Sequence, residues 1–108
     1  MDKELAATSE NPLIKLEGHV DRNTVPKIRK ELLGMIRKKK KSTGDLTLDF
    51  SNVSKMDTAG VALLVELHRT LSNGKNRLHL VHLSDKNKQV IHLARLGDLF
   101  GVEKDVTG

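Results

Sequence analysis

The chain has 108 residues, enough for one compact domain and little more; with 37% hydrophobic and 31% charged residues it reads as soluble and globular. It lacks cysteine, which excludes disulfides and thiolate metal sites, and it lacks tryptophan and tyrosine, so its core has to be aliphatic. The net charge of +5 is local: residues 27–41 hold eight basic side chains against one acid, and the rest of the chain sums to −2.

Residues 1–12 read as a flexible polar tail without the basic-then-apolar pattern of a signal peptide. The longest apolar run, Val61 to Val65, is far short of the roughly 20 residues that span a membrane. A cytoplasmic protein is therefore expected. In "NPLIKLEGHV", Ile14 and Leu16 alternate with Lys15 and Glu17, which predicts a half-buried strand. "DRNTV" supplies turn and cap residues, with Asn23 or Thr24 as N-cap and Pro26 tolerated in the first turn. Val25, Ile28, Leu32, Met35 and Ile36 then keep helical spacing. Basic residues crowd the end of this helix, where the macrodipole favours cations, and "STG" at 42–44 is expected to stop it.

"DLTLDF" alternates again, with Leu46, Leu48 and Phe50 on one face and Thr47 and Asp49 on a wetter one. "SNVSKM" reads as a connection. The next helix carries Val61, Ala62, Leu63, Leu64, Val65, Leu67 and Leu71 around much of its circumference and is expected to be largely buried. "SNGKN" ends it. "RLHLVHL", 77–83, predicts a third strand, Ser84 caps a third helix, and Gly97 occupies the place of a C-terminal glycine. Strands separated by helices imply crossovers and a largely parallel sheet, with helices mainly on one face.

No catalytic constellation is visible. His79 and His82, three apart in a predicted strand, should lie on opposite faces and could not share an ion. The chain has no HExxH, no GxSxG and no phosphate-binding GK[ST] loop, so no metal, cofactor, catalytic residue or small-molecule substrate is expected. The basic segment, with Lys38 to Lys41 consecutive, reads as a solvated helix end or as a patch for anionic lipid or an acidic partner; without aromatic platforms a nucleic-acid role is not expected. Asp57 is a good N-cap for the central helix and puts the Thr58 hydroxyl in its first turn. Gly60 would keep the approach to it uncrowded. This start reads either as plain capping or as a presented site, since a phosphate on Thr58 would sit at the positive end of the dipole.

"LTLDFSNVSKMDTAGVALLVEL" resembles the signature of STAS domains, the anti-sigma factor antagonists and the cytoplasmic domains of sulfate transporters. Leu46, Leu48, Asp49, Phe50, Ser51, Val53, Met56, Asp57, Thr58, Ala59 and Gly60 carry the resemblance. It extends over residues 13–102, leaving 103–108 as a C-terminal tail, and implies a single α/β STAS domain. Within the family, "DTAGVALLVEL" is most similar to the MlaB type, the small STAS subunit of a phospholipid ABC transporter. That resemblance implies a non-enzymatic subunit docking on the transporter's ATPase, with membrane association only indirect, through a complex that maintains outer-membrane lipid asymmetry. The implied contact surface is Lys55, Met56, Asp57, Thr58 and Ala59, with Asp21, Arg22 and Asn23 lining the same end of the sheet. Antagonists of sigma-factor pathways usually carry a phosphorylated serine where Thr58 stands. The alternative implied is therefore an antagonist controlled by phosphorylation at Thr58.

Overall fold

A computed structural model describes residues 13–38 and 44–102. The expected tails 1–12 and 103–108, Lys39 to Lys41 and the turn at 42–43 lie outside the described residues, as do the side chains of Arg37 and Lys38. In chain order the elements are β1 (Leu13–Val20), α1 (Val25–Lys38), β2 (Leu46–Met56), α2 (Thr58–Asn73), β3 (Leu78–Val81), α3 (Asp85–Leu93) and α4 (Gly97–Phe100). Among the described residues the sheet has three strands in the order β1-β2-β3, and both pairings are parallel. This is the architecture that helix-separated strands require.

Alternation decides what each strand buries. Leu46, Leu48 and Phe50 of β2 are at most 1% exposed and face the helices, joined by Leu16 and Val20 of β1. The opposite face carries exposed Lys15, Glu17 and His79. From the helices come Leu32 and Leu33 of α1, then Val61, Leu63, Leu64, Leu67 and Leu71 of α2, with Ile91 and Phe100 closing the core. Each such side chain contributes about 1.5–3 kcal/mol on leaving water. The helix α2 is largely buried as expected, except that Ala62 is exposed and Val65 half-buried. A bidentate pair from Arg29 to Glu66, at 2.7 Å on both nitrogens, bridges α1 and α2 at the surface. That hydrogen bond raises the Arg29 pKa further.

Three local expectations fail for identifiable reasons. "SNVSKM" is not a connection: β2 continues through it to Met56, because β1 pairs along its whole length, from Leu13 with Thr47 to Val20 with Met56. Register irregularities after Lys15 and Gly18 absorb the mismatch, and Gly18 takes φ 74 there. The third strand is shorter than its apolar pattern, since His82 turns left-handed at φ 60 and leaves it. Finally, Gly97 does not close α3. Arg95 takes the left-handed position at φ 63, while Gly97 opens α4 and is buried, where a Cβ would run into the His92 ring.

Candidate docking site

In a parallel sheet the loops that follow the strands emerge at one edge, and here two of them are locked together. Val20 pairs with Met56, and the Asp57 amide donates to the Val20 carbonyl at 3.2 Å. The chain therefore enters α2 directly beside the 21–24 loop. Asp57 has an extended backbone and caps the helix as its sequence implies: Oδ1 accepts from the Ala59 amide at 2.8 Å and from the Gly60 amide at 3.4 Å. Thr58 is the first helical residue and is exposed.

The adjacent loop is organised by its own acid. Asp21 Oδ1 accepts from the amides of Asn23 at 2.9 Å and Thr24 at 3.2 Å. Thr24, not Asn23, stands immediately before α1. Its hydroxyl donates to the His19 carbonyl at 2.8 Å and accepts the Asp21 amide at 3.0 Å. Arg22 and Asn23 are left exposed.

Of the eight residues expected at this surface, Lys55, Thr58, Arg22 and Asn23 are exposed, while Asp21, Asp57 and Ala59 are half-buried. Met56 is a correction: at 4% exposure it belongs to the core and supports the patch from beneath. Gly60 is a correction too. It does not keep the outer approach clear but lets the helix close onto the sheet. A Cβ would stand 2.6 Å from Met56 Cγ and 2.9 Å from the Val20 carbonyl oxygen.

Two further acids, whose partners the sequence does not announce, shape β2. Asp49 is only 6% exposed, although alternation puts it on the wetter face. It accepts the Ser51 amide at 2.8 Å and meets His82 Nδ1 at 3.0 Å. The Ser51 amide first, then His82, hold its carboxyl down to about 2. Asp45 meets His79 Nε2 at 3.0 Å and accepts the Arg77 amide at 2.9 Å, and the histidine bond is the larger cause of its lowered pKa. The expectation of opposite faces for His79 and His82 is thereby corrected. Once His82 leaves the strand, both rings meet carboxylates that alternation puts on one side of β2. These pairings span 33 and 34 residues, so no local signal announces them.

The site presents a hydroxyl without activating it. No histidine or carboxylate is hydrogen-bonded to Thr58 among the described residues, and the neighbouring Asp57 carboxylate is engaged by amides. Among the described residues no group of three or more His, Asp or Glu side chains could hold a metal ion, and no helix is long and apolar enough to cross a membrane.

A family model described as "Mlab, STAS domain" matches residues 4–102. The chain is 29% identical over 91 residues to the anti-sigma-B factor antagonist of Staphylococcus aureus (strain NCTC 8325 / PS 47), covering 84% of this chain and 82% of that protein. The Staphylococcus epidermidis anti-sigma-B factor antagonist is 28% identical over the same shares. Among solved structures, the anti-sigma factor antagonist SpoIIAA in its unphosphorylated form superimposes with a TM-score of 0.72 at 26% identity, over 82% of this chain and 75% of that one. The phosphorylated form of the Bacillus SpoIIAA gives 0.65 at 27% identity, over 82% and 78%. With its fold, its Asp-Thr-Ala-Gly helix start and these relatives in agreement, the chain belongs to the MlaB-type STAS domain family, within the anti-sigma factor antagonist superfamily.

Proposed function

We propose that the protein is a non-catalytic docking subunit. It binds the ATPase of an ABC transporter that moves phospholipids between inner and outer membranes, and it meets that partner with Thr58, Lys55, Ala59 and the loop at Arg22 and Asn23. The observation that carries this reading is an exposed threonine at the first turn of a largely buried helix, on a frame where the start of that helix is hydrogen-bonded to the end of β1 beside the 21–24 loop. The match to the MlaB-type family model supports the ATPase as partner. The protein works in the cytoplasm and reaches the inner membrane only through the complex.

Affinity purification of the tagged protein from its source cells tests the reading. An ABC ATPase and its permease should co-purify; an anti-sigma kinase without them overturns it. Thr58→Glu should leave the melting temperature near that of the parent. It should weaken partner retention at least about tenfold, because it puts a charge into a desolvated contact. Full-strength binding by a folded Thr58→Glu protein would remove Thr58 from the site.

The names of the curated relatives, and a solved relative in a phosphorylated form, favour a second reading: an antagonist switched by phosphorylation at Thr58. A phosphate there would add about −1.5 to −2 charges beside the helix N-terminus. Intact-mass measurement after incubation with the kinase from the same genome decides it, since an unmodified Thr58 rules it out.

A further inference from the structure

At the other end of α2, roughly 20 Å from Thr58 at 1.5 Å per residue, lies an open cleft of about 410 Å³. Its polar lining is His68, Ser72, Lys75, Asn76 and Arg77, and among the described residues no carboxylate lines it. Every one of these side chains can donate a hydrogen bond, and two carry fixed positive charge. Leu78 and the 43%-exposed Leu99 supply an apolar wall. His68 stands edge-on to Phe100, with ring centroids 6.0 Å apart, which fixes its plane.

Two features limit how far negative groups compete for the donors of this cleft. The C-terminal carbonyls of α2 would oppose an anion, but those of Leu71 and Ser72 are already engaged. Gly74 and Asn76 amides donate to the Leu71 carbonyl, and the Lys75 amide donates to that of Ser72. Asp45, the acid bonded to this loop, accepts from the Arg77 amide and meets the His79 ring; its charge is felt at the Arg77 side chain only weakly, and among the described residues no ion pair joins it to Lys75 or Arg77. Lys75 also sits at φ 63, a left-handed conformation that glycine would adopt without strain.

We infer that this cleft binds a phosphate group. An ammonium, a guanidinium fork, an imidazole, a hydroxyl and an amide offer more donors, from more directions, than the two oxygens of a carboxylate can use. A phosphate presents three oxygens to them, and the leucines cover the group that bears it. It is a ligand site rather than a reaction site, and it is independent of the docking surface at Thr58.

The test is a titration of 15N-labelled protein with inorganic phosphate and with glycerol 3-phosphate at low ionic strength, followed by NMR. In parallel, flotation is measured with vesicles of phosphatidic acid in phosphatidylcholine and with phosphatidylcholine alone. Amides at 68–78 and 99 should shift saturably, with a dissociation constant on the order of 1 mM, and the shifts should vanish in Arg77→Ala and in Lys75→Gly. Lys75→Gly relieves backbone strain, so its melting temperature should hold or rise while binding falls, which no structural role for the lysine would produce. Recruitment to phosphatidic acid vesicles that both substitutions abolish assigns the phosphate to a lipid headgroup. Saturable soluble binding without recruitment assigns it to a soluble phosphomonoester. The proposal is overturned if no saturable shift appears at these amides up to about 20 mM ligand and no vesicles are bound. It is also overturned if shifts or recruitment survive both substitutions; recruitment of that kind belongs to the lysine run.

Discussion

The two ends of α2 are built to opposite specifications. At its start, Asp57 closes the first turn with two side-chain hydrogen bonds, and Gly60 lets the helix approach within contact of Met56 and the Val20 carbonyl. At its finish, Gly74, Lys75 and Asn76 tie off the Leu71 and Ser72 carbonyls from a turn with one left-handed lysine, and most side chains around it stand open to water. One end is braced against the sheet and shows little but a hydroxyl. The other is loosely walled and rich in donors. Burial along the same helix thus fixes one surface and leaves the other adaptable.

The largest effect comes from removing what both ends share. Leu64 is 1% exposed, and Leu64→Asp buries a charge without a partner at a cost beyond about 4 kcal/mol. Circular dichroism should show no cooperative melt, and both surfaces should be lost together. Glycine substitutions then separate the ends. Gly60→Ala should cost about 2 kcal/mol, because the added carbon meets Met56 Cγ at 2.6 Å and a backbone oxygen at 2.9 Å. Gly74→Ala meets the Asn76 side-chain nitrogen at 3.3 Å and the Leu71 carbonyl oxygen at an ordinary 3.6 Å, at an ordinary φ of −97, and should stay within about 0.5 kcal/mol of the parent. Chemical denaturation of the pair checks both, and equal costs would erase the asymmetry. Asp57→Ala removes a cap worth about 1 kcal/mol and should lower the urea midpoint accordingly, while leaving the cleft at 68–78 unchanged.

The smallest effect lies between the ends and depends on pH. The folded carboxyl of Asp49, at about 2, is more acidic than its ordinary 3.8, so the unfolded chain binds its proton more readily. The stabilisation is complete above about pH 4 and drains away as pH falls toward 2. Urea midpoints measured down that range should fall more steeply for the parent than for Asp49→Asn. His82→Ala should remove only part of the difference, since the Ser51 amide is the larger cause.

Short-range chemistry was legible in the sequence. The alternation of Leu46, Leu48 and Phe50, the Asp57 cap and the Ser84 cap of α3 all act within a few residues, and the structure has each of them. Where a distant partner decides, sequence reading misleads. "SNVSKM" looks like a connection, yet β1 pairs with Asn52, Val53, Lys55 and Met56 and holds the segment in a strand. Asp49 looks wet, yet His82 covers it from 33 residues away. Gly97 looks like a helix stop, yet its missing side chain makes room for His92. Around Thr58 the exposed positions were readable because capping is local. The buried Met56 and the inward role of Gly60 were not, because both depend on where β1 ends.

The hydrogen bond from Asp57 to Val20 also has a kinetic meaning. It ties the start of α2 to the end of β1, where the 21–24 loop begins, so on the proposed docking reading a partner would find the surface already assembled and have little chain to order on arrival. Association should then proceed in a single phase at a rate set by diffusion and orientation. Substitutions at Arg22, Lys55 or Thr58 should be felt mainly in how long the complex lasts.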